Sequence, residues 1–170
     1  MQFQSTKTVI GRIICHMTDT IDARILRELQ TDCRISIADL GARVGLSASA
    51  CHRRVKLLEE AGVISGYVAR LDARALGYTM EFFVEVALKT QGDKSFDQFE
   101  RAVAATPEIL ECHLMAGGTD YLLRIVAKDS ADFERIHRER LAKLPNVSRL
   151  ESNLAIRAVR PWRGYPVQPG

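Results

Sequence analysis

The apolar residues of this 170-residue chain change their repeat near Tyr78, and no other feature limits the fold so strongly. Upstream they recur three and four positions apart, the period of a helix with one buried face. Downstream they alternate, the period of a strand buried on one side. A single layer cannot satisfy both patterns, so the chain is expected to build two small cores, a helical domain over 18–70 and a mixed one over 79–159, with a linker at 71–78. Residues 1–17 show no clear period and are expected to form a poorly ordered extension or, alternatively, an arm that packs on a partner subunit. The tail 160–170, rich in Pro and Gly, reads as loop or disordered.

Three helices fit the first domain. Asp19 or Thr20 can cap the first, whose apolar positions are Ile21, Ile25, Leu26 and Leu29. Ser36 can cap a second that buries Ile37, Leu40 and Val44 and ends at Gly45, and Ser47 can cap a third that ends at Ala61 and Gly62. Short helices joined by a tight turn in this way form a helix-turn-helix. Gly41, inside the second helix, is expected to weaken it by up to about 1 kcal/mol relative to Ala. Residues 63–69 carry β-branched and aromatic side chains around Gly66, which predicts a small hairpin or wing.

A net charge of +3 is too small to require nucleic acid as a partner, but its distribution is uneven. Residues 1–76 hold 11 Lys and Arg against 8 Asp and Glu, whereas 77–170 hold 13 of each. No acid lies between Asp39 and Glu59, while Arg43, Arg53, Arg54 and Lys56 do. Each helical residue turns the side chain by about 100°. That rotation places Cys51, Val55 and Leu58 on one side of the third helix and Ser49, His52, Arg53 and Lys56 on the other, with Arg54 at the boundary. Arg can bind a guanine edge in two places, Lys and Ser can bind phosphate, and the N-terminal amides of the second and third helices add positive partial charge. The candidate contacts to double-stranded DNA are therefore Ser47, Ser49, His52, Arg53, Arg54 and Lys56. The bland alternative is a solvated basic face in a protein-interaction bundle; the serine cap, the turn glycine and the missing acids together disfavour it.

Beyond Tyr78, Met80, Phe82, Val84, Val86 and Leu88 alternate with Glu81, Glu85 and Lys89 among others, giving a strand over 80–89. A helix over 95–106 turns Phe96, Phe99 and Val103 inward and stops at Pro107. Strands at 109–115 and 121–127 are joined by the loop Ala116-Gly117-Gly118-Thr119-Asp120; a helix over 130–144 and a strand over 147–158 follow. The class is therefore α+β, an N-terminal winged helix-turn-helix joined to a C-terminal ferredoxin-like βαββαβ domain. Two helices would cover one face of its sheet and leave the other open, a surface suited to oligomerisation.

Catalytic chemistry finds no foothold. The four cysteines, Cys15, Cys33, Cys51 and Cys112, are scattered as expected of reduced thiols in a cytoplasmic protein, without zinc or disulfide spacing. No apolar run approaches the roughly 20 residues that cross a bilayer, and no signal peptide is evident, so no membrane partner is expected. His16, His52, His113 and His137 lack ligand spacing, Glu134 with His137 reads as a surface pair, and Gly117-Gly118 is too short for a phosphate loop. No catalytic residue, metal or cofactor is expected.

Over most of its length the chain resembles the Lrp/AsnC family of leucine-responsive and asparagine regulators. The segment DTIDARIL at 19–26 is similar to its first helix, ISIADLGARVGLSAS at 35–49 to its helix-turn-helix, and RRVKLLEEAGVI at 53–64 to its recognition helix and exit. Gly117, Asp120, Tyr121, Leu122 and Leu123 resemble the family's Gly-x-x-Asp-Tyr-Leu-Leu segment. The resemblance implies a domain that binds a small molecule, commonly an amino acid, between subunits, and homodimers that assemble into tetramers, octamers or larger rings. It places the effector at Gly117, Gly118, Thr119 and Asp120, with Ser152 as an outlying member. Glycines let backbone amides approach a carboxylate and Asp120 can accept from an α-ammonium group; equally, Asp120 can be a turn residue. Three positions depart from the family pattern: Gly41 where Ala is usual, His52 in the DNA-facing row, and Glu151 where a basic residue is common.

The expected function is a sequence-specific DNA-binding transcriptional regulator whose promoter binding and assembly respond to a small effector, an amino acid. Two alternatives are a ligand-independent nucleoid-type DNA-binding protein and an amino-acid-binding allosteric subunit without DNA binding. The acid-free basic window argues against the second.

Overall fold

The computed structural model describes residues 20–168. They form two compact units, one that ends at Ala69 and also takes in the chain from Pro161, and one spanning Arg70–Arg160. The extension 1–17, with Cys15 and His16, and the cap candidate Asp19 lie outside the described residues.

The first unit contains α1 (Thr20–Thr31), α2 (Ile37–Val44) and α3 (Ala48–Glu60). Ile25, Leu40, Val44, Cys51, Val55 and Leu58 make its core, one or two from each turn that faces inward. Both expected serine caps form: Ser36 Oγ accepts from the Asp39 N–H at 3.1 Å and Ser47 Oγ from the Ala50 N–H at 3.3 Å. Each supplies an acceptor to an amide that the helix itself leaves unpaired. Gly45 closes α2 in the left-handed region, at φ 79°.

Gly41 corrects the expectation drawn from helix propensity. It is buried where α2 turns back toward α3, its carbonyl accepts from the Leu46 N–H at 2.8 Å, and a Cβ on it would stand 2.9 Å from Leu46 O. The absent methyl group is what lets the turn backbone come this close, so glycine here supports the helix-turn-helix geometry.

The expected hairpin or wing at 63–69 is not formed by strand pairing among the described residues. The Val63 and Ile64 amides both donate to Leu58 O, closing α3, and 65–70 are irregular. A strand needs a neighbour to take its N–H and C=O groups, and no described strand pairs with this segment.

The second unit is a four-stranded antiparallel sheet in the order β2-β3-β1-β4, built from β1 (Met80–Leu88), β2 (Ile109–Leu114), β3 (Tyr121–Ala127) and β4 (Val147–Leu154). Two helices, α4 (Asp93–Ala104) and α5 (Ser130–Glu139), supply the other layer. Phe82, Val84 and Val86 of β1 and Tyr121, Leu123 and Ile125 of β3 are buried with Phe99 of α4 and Ile136 of α5. Phe133 stacks on Phe82 at a ring-centroid distance of 3.5 Å. The expected helix over 130–144 is shorter, its last turn being a 3₁₀ segment at Leu141–Lys143 that buries Leu141. The final strand stops at Leu154 because its partner runs out: Leu154 pairs with Phe82, and Ala155 N–H donates to Glu81 O one residue from the start of β1. Ile156, read as part of that strand, is exposed.

Two opposed effects decide a substitution at Gly41. Ala gains up to about 1 kcal/mol of helix propensity, while forcing the α2–α3 turn apart costs typically 1–3 kcal/mol, so Gly41→Ala is expected to be destabilising by about 1 kcal/mol. Thermal or urea denaturation checks this, and a raised midpoint contradicts it.

Candidate nucleic-acid interface and effector loop

The facing of α3 follows from what it buries. Cys51, Val55 and Leu58 pack into the core, so the opposite row of Ser49, His52, Arg53 and Lys56 is exposed. His52 and Arg53 have no side-chain partner among the described residues. Lys56 Nζ stands 3.6 Å from Glu60 Oε1, an exposed pair one turn apart of the kind worth under about 1 kcal/mol, which leaves the ammonium group available. Ser47 Oγ, besides capping the helix, lies 3.2 Å from Ser49 Oγ.

The other two cations of the basic window are engaged within the protein. Arg43 Nη1 donates to Glu28 Oε2 of α1 at 2.8 Å. Arg54, the boundary residue, donates from Nη1 to Asp22 Oδ1 at 2.8 Å, and Asp22 is buried, only 7 % exposed. A buried carboxylate without its cation is costly, so this pair ties α3 to the first turn of α1. Arg54 thereby orients the row that Arg53 and Lys56 present. The pairing joins residues 32 positions apart, and no single-helix periodicity could reveal it. Beyond α3, the Tyr67 hydroxyl donates to Glu59 Oε1 at 2.8 Å; burial first, and the neighbouring carboxylate second, push the Tyr67 phenol up to about 12.

The β2–β3 loop is built against the end of β1. Thr119 Oγ1 donates to Val86 O at 2.9 Å, and Asp120 N–H donates to the same carbonyl at 2.9 Å. Asp120 Oδ2 accepts from the Leu88 N–H at 2.7 Å and Oδ1 from Gln91 Nε2 at 2.8 Å. Both carboxylate oxygens thus serve the loop itself, a bracing role that involves Gln91, which sequence reasoning missed. Gly117 and Gly118 are exposed, and nothing lies within 4 Å of a Cβ built on either. Backbone therefore remains approachable at the tip while the loop base is fastened.

Gly117, Gly118, Thr119 and Asp120 come together; Ser152 does not join them within one chain. Ser152 pairs with Val84 on β4, whereas β3 and its loop flank β1 from the other side, two strand spacings or roughly 10 Å across the sheet.

The face of the sheet away from the helices carries Glu81, Phe83 and Glu85 of β1, Leu122, Arg124 and Val126 of β3, and Glu111 and His113 of β2. Arg124 is held between Glu81 and Glu111, the latter at 2.6 Å. That guanidinium first, and His113 second, hold the Glu111 carboxyl below the usual carboxylate range. Glu85 and Glu151 stand directly opposite each other on β1 and β4, a like-charge pairing that Arg149 Nη1, 3.9 Å from Glu151 Oε2, offsets in part. Among the described residues no cluster of His, Cys, Asp and Glu is arranged to hold a metal ion, and no helix is long and apolar enough to cross a membrane.

Comparison with known proteins agrees with both halves. The family described as winged helix-turn-helix DNA-binding matches residues 18–65, and the Lrp/AsnC ligand binding domain matches 81–164. A leucine-responsive regulatory protein of Rhizobium meliloti is 45 % identical over 142 residues, 84 % of this chain and 91 % of that protein. The crystal structure of an AsnC family transcriptional regulator from Agrobacterium tumefaciens superposes with a TM-score of 0.83 at 33 % identity, covering 87 % of this chain and 96 % of that one. A transcriptional regulator from Neisseria meningitidis, solved as a complex with L-Met, gives the same TM-score at 30 % identity, covering 87 % of this chain and 96 % of its own.

Removing the cation from the α1–α3 pair strands the Asp22 charge. Because both side chains retain some exposure, Arg54→Ala should cost about 2 kcal/mol, below the 3–5 kcal/mol typical of a fully buried pair. The loss should appear in chemical denaturation, and Asp22→Asn made in the Arg54→Ala background should recover part of it; an unchanged midpoint in the single variant contradicts the bracing role.

Proposed function

Since the chain belongs to the Lrp/AsnC family of transcriptional regulators, we propose that it reads operator DNA with the exposed row of α3 and takes an amino acid at the β2–β3 loop. The carrying observation is the division of labour among its cations: Arg54 is spent on Asp22, whereas Arg53 is exposed without an internal partner at a level where a recognition helix meets base edges. Ser49 and His52 flank it, and Ser47 and Lys56 are placed to take phosphate, beside the amides that open α3. Electrostatics alone would give a coat protein; a row with an Arg able to bind guanine in two places favours sequence reading.

For the effector, the exposed Gly117-Gly118 tip offers backbone amides to a carboxylate. Asp120 acts by holding that tip to Leu88 and Gln91, and Ser152 reaches an effector only from a second subunit. This last geometry accords with a site between subunits, and the open sheet face, with Phe83 and Leu122 among charged neighbours, is the surface we assign to homodimer formation. Two-fold symmetry then sets two α3 helices on successive turns of a roughly palindromic operator, and larger assemblies, tetramers or octamers, extend the wrapped DNA. An effector that binds one arrangement of subunits more tightly shifts DNA affinity, and DNA shifts effector affinity equally. We assign this work to the cytoplasm, where promoters and free amino acids meet.

Arg53→Ala should relax discrimination at one operator position by about 1–3 kcal/mol, whereas Lys56→Ala should weaken binding to all sequences and flatten its salt dependence. Gel-shift titrations on operator and scrambled duplexes distinguish the two, and wild-type affinity in both variants would remove α3 from the interface. Asp120→Ala should abolish the response of DNA binding to an amino-acid panel that includes methionine and leucine, with effector-free affinity preserved; an undiminished response dissociates the loop from the effector site.

A further inference from the structure

Arg157, Arg160 and Arg163 recur every third residue near the end of the chain, and from Ser152 to Gly170 no acidic residue balances them. All three are exposed, and none has a side-chain hydrogen bond or ion pair among the described residues. This segment was expected to be loose. It is irregular in conformation, yet from Pro161 it belongs to the same compact unit as α3, and it is fastened there by a specific pair of bonds. The amide of Gln30, in the last turn of α1, meets the Tyr165 backbone in both senses: Nε2 donates to Tyr165 O at 3.0 Å and Oε1 accepts from Tyr165 N–H at 2.7 Å. Gly164 sits at φ 100°, and a Cβ on it would run into Gln30 Oε1, so the tail sequence is fitted to this contact. Trp162 packs edge-on to Tyr165 with ring centroids 4.8 Å apart, both rings remaining exposed.

Local acids do not account for the arginines. Glu28 of α1 is paired with Arg43 at 2.8 Å, and Asp32 accepts from the Arg34 N–H at 2.9 Å. A tethered segment that holds cations apart from carboxylates, with exposed aromatic rings among them, has the chemistry of a polyanion-binding arm. Arg163 lies in the unit that contains α3, and Arg157 and Arg160 precede it within six residues of continuous chain, a linkage that favours duplex DNA over other polyanions.

We propose that residues 157–165 form a second DNA-contacting element, an arm anchored at its far end by the Gln30–Tyr165 clamp, whose arginines bind backbone phosphates beyond the segment read by α3. The proposal rests on the DNA-reading role of α3 and adds phosphate contacts outside the base-read segment.

The test replaces all three arginines in the full chain, Arg157→Gln, Arg160→Gln and Arg163→Gln, and measures affinity for operator duplex across a range of salt concentrations. Each phosphate contact contributes about 0.9 to the slope of log K against log salt, so the slope should become shallower by about 2–3 per bound protomer, with affinity reduced at least roughly tenfold at low salt. Trimming the duplex to the base-read core should weaken the wild type and leave the triple variant unchanged. Gln30→Ala, at an exposed position of α1, should reproduce part of the loss by freeing the arm. A triple variant with wild-type slope and wild-type sensitivity to duplex length overturns the arm while leaving α3 in place. A wild-type protein that binds no duplex sinks the α3 reading and the arm together.

Discussion

The row of side chains that α3 can turn toward DNA depends on the helix having somewhere to hide its other side. Cys51, Val55 and Leu58 are apolar at one-turn spacing, and burying them against Ile25, Leu40 and Val44 fixes the rotation of the helix about its own axis. Rotation alone leaves α3 free to slide along that groove. The Arg54–Asp22 pair removes this freedom, because a buried carboxylate tolerates little displacement of its cation. Gly41 supplies the third restraint by letting the α2–α3 turn close to a distance that a methyl group would prevent. Core, ion pair and close turn thus determine together which side chains α3 presents.

A comparable logic runs through the sheet. β1 is flanked on both sides, by β3 and β4, and its alternation therefore decides the character of two faces at once. The face carrying Phe82, Val84 and Val86 closes the core with the helices; the other carries Glu81, Phe83 and Glu85. Neither face is homogeneous enough to be ignored. Arg124 neutralises Glu81 and Glu111 from β3, and Glu151, opposite Glu85, has Arg149 of its own strand at 3.9 Å. Glu85 has no cationic partner among the described residues, so in the proposed subunit association a cation brought to it would add an electrostatic component to the apolar one.

The sequence was most legible where one periodicity fixes one face. The α3 faces, the two serine caps, the strand order and the bounds of β3 all rest on local repeats or local turn chemistry, and the structure has them where the repeats put them. What stayed hidden is non-local. Arg54 looked like one more cation of a basic stripe until Asp22, 32 residues earlier, took it up. The 63–69 segment has strand-like composition without a strand to pair with among the described residues, and β4 ends where β1 begins, a limit that belongs to its neighbour. Gly41 shows two effects opposed: propensity counts a missing methyl as a cost, while in this chain a Cβ there would stand 2.9 Å from Leu46 O and the turn would have to shift. Likewise, Pro and Gly in the tail signalled irregular backbone correctly but said nothing of Gln30.

Asp120 changes how the effector loop is best understood. As a free carboxylate it would be an obvious partner for an α-ammonium group; with Leu88 N–H and Gln91 Nε2 on its two oxygens, much of its hydrogen-bonding capacity is already used. What it does instead is join the loop to the stretch of chain that leaves β1 and enters α4. Under the proposed function, an effector seated on the glycine tip would act on a loop whose base is mechanically continuous with the sheet and with the start of a core helix. Because the sheet is also the face assigned to subunit association in that proposal, stiffening or displacing the loop would alter how two copies fit, without any need for the effector to approach α3. The coupling would then be carried by assembly, with DNA affinity changing as the spacing between recognition helices changes.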